Sequence, residues 1–256
     1  MARTWQASGH GYDVEWGGRV WTLSVDDPSP GLRVRGGSVG PLLTLEGIAS
    51  EGRAASEAFS GTSPIFTNRD ERIEAVYGPP GRDGLTISAA WVVSAEDAID
   101  LDVEAALGPD AAAPIRGLEV KLASVLPEKP GARPKRWVEP RDARAAGLSY
   151  DGREPDVRGL TTLPPADDAT LAPRVLPSPW DDGLSYVEIV RPLEVARRIT
   201  EAGTITSLGH TTRYGLFGTD LTPGSVLRTR VRGLWLLSTS PQREAIDRTE
   251  AFLAEP

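Results

Sequence analysis

The sequence predicts an all-β chain, an antiparallel β-sandwich that carries one or two short helices, one of them C-terminal. Three observations point there. Runs of alternating apolar and polar residues recur along the first two thirds, and a period of two marks a strand with one buried face. The links between these runs are short and built from Gly, Pro, Asp or Asn, which supply the backbone angles of tight turns. Clear helical spacing is confined to the last segment, "SPQREAIDRTEAFLAE".

The elements follow in order. "YDVEWGGRVWTLSV" places Tyr12, Val14 and Trp16 on one face, turns at Gly17-Gly18 and continues from Val20 to Val25. Two glycines between alternating runs predict a hairpin, because the favoured two-residue turns need positive φ. Further strands are predicted at "LRVRG", "PLLTLEGIA", "RIEAVYG", "LTISAAWVVS", "AIDLDVEAAL" and "GLEVKLASVL", read together as an antiparallel meander. From Pro127 to about Pro179 the texture changes, with prolines at 127, 130, 134, 140, 155, 164, 165, 173, 177 and 179. This excursion, at about 127–180, reads either as a loop ordered over the sheet, with Trp137 or Trp180 at a cleft, or as a flexible insertion.

"LSYVEIVRP" predicts another strand, and "PLEVARRITEAG" a short helix opened by Pro192 and stopped by Gly203. "GTITSLGHTTRYGLFG" and "GSVLRTRVRGLWLLS" predict two strands joined across "TDLTPG". The tail has Ser240 as N-cap, Pro241 at the first helical position and a stripe of Ala245, Ile246, Thr249, Phe252 and Leu253. The whole chain, 1–256, reads as one β-sandwich domain.

Composition limits the chemistry. The 256 residues contain no cysteine, which removes disulfides, thiolate nucleophiles and cysteine-ligated metals. Two histidines, His10 and His210, are too few for a three-histidine metal site, and no cofactor or metal is expected. A net charge of −8 argues against nucleic acid as a partner, since phosphate neutralisation needs clustered positive charge. No apolar run approaches the roughly 18 residues that cross a bilayer, and "MARTWQASGHGYDVEW" has no apolar signal core. The expectation is a cytoplasmic protein without a membrane partner, with oligomerisation left open. Lysine occurs only at 121, 129 and 135, and the bias to arginine suggests a GC-rich bacterial genome.

Charge patterning supplies the candidate site. In a strand, Arg228, Arg230 and Arg232 share one face and Leu227, Thr229 and Val231 the other. "AIDLDVEAAL" mirrors this, with Asp100, Asp102 and Glu104 opposite Ile99, Leu101 and Val103. The two rows predict an ion-pair ladder on the outside of a sheet, or the wall of a groove in which guanidiniums meet ligand hydroxyls or a carboxylate. His210, near Arg213 and Tyr214, is the candidate general acid, because an imidazole titrates near a pH of about 6.5. Glu188 shares a strand face with Tyr186, needs a partner in so apolar a strand, and is the candidate general base. Tyr186, Arg213, Tyr214, Arg228, Arg230 and Trp180 are the candidate ligand contacts. The acidic pairs Asp26-Asp27, Asp167-Asp168 and Asp181-Asp182 match no EF-hand spacing, and no phosphate loop, G-x-S-x-G or H-E-x-x-H motif is present.

The strand succession from "RIEAVYG" through "LTISAAWVVSAEDAIDLDVEAAL" resembles the front sheet of galactose mutarotase-like supersandwich proteins, over about half of the chain. The resemblance implies a curved antiparallel sheet that cradles a carbohydrate on its concave face. The family's epimerases use two histidines and a glutamate, to which His210 and Glu188 would correspond here. It implies isomerase or lyase-like proton transfer on a sugar. Two other readings stay open: a non-catalytic β-sandwich module or subunit, and a lipocalin-like barrel around an apolar ligand.

Overall fold

The computed structural model describes residues 4–9, 11–24, 31–35, 40–51, 59, 64–127, 161–162, 173–181, 183–202 and 209–255. His10, Trp137, Asp26, Asp27, Asp167, Asp168, Asp182, Gly203 and most of the 127–180 excursion lie outside them. The first strands are β1 (Gln6–Ser8), β2 (Gly11–Trp16), β3 (Arg19–Ser24) and β4 (Leu32–Val34), which make a four-stranded sheet in that order. Gly17 and Gly18 both have positive φ, at 58° and 71°, and form the β2–β3 turn that their sequence predicts.

The remaining strands are β5 (Thr44–Ala49), β6 (Ile65–Arg69), β7 (Arg72–Tyr77), β8 (Leu85–Ala95), β9 (Ala98–Leu107), β10 (Ile115–Pro127), β11 (Thr161–Thr162), β12 (Arg174–Pro177), β13 (Leu184–Val190), β14 (Val195–Ala202), β15 (Gly209–Leu221) and β16 (Val226–Leu237). One helix, α1 (Pro241–Ala254), follows. A seven-stranded sheet runs β12-β13-β16-β9-β8-β7-β6, and a five-stranded sheet runs β11-β14-β15-β10-β5. The pairings within them are antiparallel. The chain is an all-β sandwich.

Period two decides which side of each strand is buried. Ile99, Leu101 and Val103 of β9 and Val231 of β16 are at most 1% exposed and join one core with Trp16, Trp21, Trp91, Tyr186 and Tyr214. Burying a large apolar side chain contributes about 1.5–3 kcal/mol, so this row anchors the sheet. The indoles pack edge-on and tilted, with Trp16 at 5.5 Å from Trp21 and 5.9 Å from Trp235. Their N–H groups are satisfied where the backbone allows: Trp16 donates to the Asp97 carbonyl at 2.9 Å and Trp91 to that of Leu43 at 3.0 Å. A smaller core lies on the outer face of β13 and β16, where Ala245 and Phe252 of α1 cover Val187, Ile189, Leu234 and Leu236. Among the described residues no helix is long and apolar enough to cross a membrane.

Several expectations are corrected. "PLEVARRITEAG" is not a helix: only Pro192–Glu194 makes a 3-10 turn, and β14 follows at once. Pairing with β15 from Val195 to Ala202 satisfies the β14 backbone, and that tertiary demand overrides local propensity. The meander holds from β6 to β9, but β5 and β10 belong to the other sheet. Likewise β15 and β16 lie in different sheets, so "TDLTPG" connects two layers. In α1 only Ala245 and Phe252 of the expected stripe are buried, while Ile246 and Leu253 are exposed. Ser240 makes no side-chain cap; its carbonyl instead accepts the N–H groups of Arg243 and Glu244. The lipocalin-like reading fails because the strands form separate open sheets rather than one closed barrel.

Candidate functional site

The expected residues separate between the interior that the two large sheets enclose and the outer face of the seven-stranded sheet, with Arg213 apart from both on the five-stranded sheet. Glu188 lies on the inner face of the seven-stranded sheet and is only 5% exposed. Tyr186, two residues earlier on β13, donates its hydroxyl to Glu188 Oε1 at 2.9 Å. Tyr214, from β15 on the facing sheet, donates to Oε2 at 3.1 Å. Burial pushes the Tyr186 phenol well above its ordinary value; the Glu188 charge and hydrogen bond add to the rise, and Ser124 opposes it. The rise keeps the Tyr186 hydroxyl protonated as the hydrogen-bond donor to Glu188. Arg198, the register partner of Tyr214 on β14, is also buried.

His210 has Leu126 and Ala202 as register partners and shares the inner face of β15 with Thr212 and Tyr214. Glu188 and His210 thus stand on two facing layers, not on neighbouring strands of one sheet. Arg213 alternates with Tyr214 and turns the other way, where its Nε lies 3.1 Å from both oxygens of Glu46. Trp180 is built into the aromatic core, 5.4 Å from Trp235, with the Arg19 guanidinium 5.5 Å above its ring.

The outer face carries the charged rows. Register aligns Glu104 with Arg228, Asp102 with Arg230 and Asp100 with Arg232. Each arginine Nε lies 2.7 Å from its opposite carboxylate, so the predicted ladder forms. Asp102 also takes Arg72 Nη1 at 2.9 Å, which extends the ladder across the sheet to β7. Burial alone would lower the Arg232 pKa, but Asp100 and Glu255 hold it above the ordinary value. Asp102, followed by Asp100 and Glu255, raises that of Arg230 as well, against burial.

This face is also a groove. A 490 Å³ cavity is lined by Arg72, Glu74, Ser88, Ala90, Asp102, Glu104, Arg191, Glu194, Arg228 and Arg230, among others. Its shape follows from residue size: Ser88 and Ala90 on β8 are small and lie between the long charged side chains of β7 and those of β9. At the other wall β13 ends at Val190, opposite Val231, so Arg228 to Arg230 have a strand neighbour on one side only. Arg191 and Glu194, from the turn after β13, line the groove there. Trp180, Arg213, Tyr186, Glu188 and His210 do not line it. Among the described residues no metal-binding group of three acidic or imidazole side chains is gathered.

No protein-family model matches the sequence, and no curated protein matches it. Solved structures do. A candidate aldose 1-epimerase from Escherichia coli K12 is similar with a TM-score of 0.56 at 9% identity, over 88% of this chain and 98% of that one. The fold is galactose mutarotase-like. An aldose epimerase homologue from C. elegans has a TM-score of 0.44 at 9% identity, over 93% of this chain and 99% of that one. A heparan sulfate lyase from Pedobacter heparinus has a TM-score of 0.46 at 8% identity, over 91% of this chain and 36% of that one.

Within this galactose mutarotase-like fold, sequence reasoning missed Arg72, Glu74, Arg191 and Glu194. The first two carried a usable signal, since "RIEAVY" alternates Arg72 and Glu74 against Ile73, Ala75 and Tyr77. Glu194 carried none, because it falls in the segment read as a helix.

Proposed function

We propose that this protein binds a carbohydrate in the groove on the outer face of the seven-stranded sheet. The observation that carries the reading is the lining: guanidiniums and carboxylates interleave around a 490 Å³ cavity floored by Ser88 and Ala90. Interleaved donors and acceptors suit a ligand whose hydroxyls both give and take hydrogen bonds. The galactose mutarotase-like fold and the sugar-directed name of the Escherichia coli neighbour support the same class of ligand. Calorimetric titration with a panel of neutral and acidic sugars tests it, on wild type and Arg230→Ala. Binding by the wild type, lost in a variant that melts nearly unchanged, is the expected result. Equal binding by both would remove the groove.

A second reading has its own observation, a carboxylate 5% exposed and held between two phenols in the interior between the sheets. There Glu188 is the general base and His210 the general acid of an epimerase-like proton transfer. A ligand in the groove lies on the far side of the sheet from Glu188, so the two readings require different sites. Exchange of sugar anomers followed by NMR separates them: the catalytic reading requires exchange by the wild type and its loss in Glu188→Gln.

A further inference from the structure

We propose that Glu194 is a ligand-contacting residue of the groove, its carboxylate accepting a hydrogen bond from a hydroxyl of a neutral sugar. The proposal rests on the carbohydrate reading above and names the residue and ligand charge that go with it. It starts from the hydrogen bonds the groove leaves unmade. Every other carboxylate lining the cavity has an arginine partner: Glu74 has Arg72 at 3.4 Å, Asp102 has Arg230 at 2.7 Å, and Glu104 has Arg228 at 2.7 Å. Among the described residues Glu194 has only Arg191, whose Nη1 stands 3.8 Å from Oε1, beyond hydrogen-bond length. Its Oε2 is withdrawn from solvent and has no hydrogen-bond partner among the described residues.

A carboxylate oxygen left in that condition is a standing cost to the fold, and turning the carboxylate toward a ligand donor in the groove removes it. The matching donor is Arg228, which reaches Glu104 through Nε, while its Nη atoms have no hydrogen-bond partner among the described residues. Its side chain is 76% exposed, so that edge is open to a ligand.

Charge balance selects the ligand. The lining has four guanidiniums, Arg72, Arg191, Arg228 and Arg230, and four carboxylates, Glu74, Asp102, Glu104 and Glu194, a formal sum of zero. An anionic ligand would meet the unpaired Glu194 oxygen, and a cationic one the open Arg228 edge. A hydroxyl satisfies both, because it donates to the first and accepts from the second.

The test is titration of Glu194→Gln and Glu194→Ala with the same panel of neutral, uronic and phosphorylated sugars, alongside thermal melts. Wild type should prefer a neutral sugar, and Glu194→Ala should bind it at least tenfold more weakly. Both variants should melt at or above the wild-type Tm, since the substitution removes an unpaired charged oxygen. Undiminished binding by Glu194→Ala, preference for a charged sugar, or a Tm loss in both variants that parallels the loss of binding would each overturn the assignment. If the wild type binds no sugar of the panel, the carbohydrate reading falls and the assignment with it.

Discussion

The Tyr214 hydroxyl crosses from the five-stranded sheet to the Glu188 carboxylate of the seven-stranded sheet, 3.1 Å away. This bond ties the two layers through a charge held in the interior. Removing the hydroxyl leaves an acceptor with less than its full complement where water does not compensate. Tyr214→Phe should therefore cost about 1–3 kcal/mol, the range for a hydrogen bond to a buried charged group. Urea unfolding checks it: the midpoint falls while the m-value stays constant.

The arginine ladder should be graded by burial. Arg232 is 14% exposed and serves Asp100, which is 4% exposed, so Arg232→Ala leaves a buried carboxylate with only Arg230, 3.8 Å away, among the described residues. That loss should cost about 3–5 kcal/mol. Arg228 makes an equally short bond to Glu104 but is 76% exposed, and Arg228→Ala should cost less than about 1 kcal/mol. Chemical denaturation of the two variants side by side measures the gradient. Equal losses would refute burial as its cause.

Glu255 gives a pH dependence. It is held by Arg232 Nη1 at 2.7 Å and Nη2 at 2.9 Å, while its backbone carbonyl accepts from Arg191 at 2.7 Å. The Arg232 hydrogen bond, against some burial, lowers its pKa below the ordinary value. A folded pKa below the unfolded one means the stabilisation is complete above the ordinary glutamate range, about 4.3, and is lost as pH falls through the folded value. The stability difference between wild type and Glu255→Gln should be constant at neutral pH and vanish in acid. Denaturation midpoints at a series of pH values follow it.

What the sequence made legible was whatever the period of two governs. Asp100, Asp102 and Glu104 against Arg228, Arg230 and Arg232 could be paired before any coordinates, because strand alternation fixes the face and opposite charge suggests the partner. Glu188 with Tyr186 was legible for the same reason, at a spacing of two. Tyr214 as the second donor was not, because a contact between layers depends on how the sheets stack, which no local pattern encodes. Arg213 was grouped with Tyr214 although adjacent strand residues must face opposite ways, so there the period was available and went unused. Glu194 needed the end of β13 and the turn after it, and "PLEVARRITEAG" offers a helix just as readily as a turn and a strand.

The β2–β3 turn separates two glycines of similar conformation. Gly17 has φ 58° and Gly18 φ 71°, both in the region where an L side chain crowds its own carbonyl, which costs roughly 1–2 kcal/mol. Around Gly18 a Cβ meets nothing within 4 Å, so Gly18→Ala should cost only that backbone strain. At Gly17 the same atom falls 2.4 Å from Trp235 Cγ and 2.5 Å from its Cδ1. Trp235 is 3% exposed and packs against Trp16, Trp21, Trp180 and Tyr186, so its ring has no room to retreat. Gly17→Ala should then add an overpacking cost of about 1–3 kcal/mol to the strain and disturb the indole packing. Thermal melts give the difference in stability, and near-ultraviolet circular dichroism reports the tryptophans. A near-UV spectrum unchanged in Gly17→Ala, with a Tm equal to that of Gly18→Ala, would mean the turn lifts off the ring at no cost.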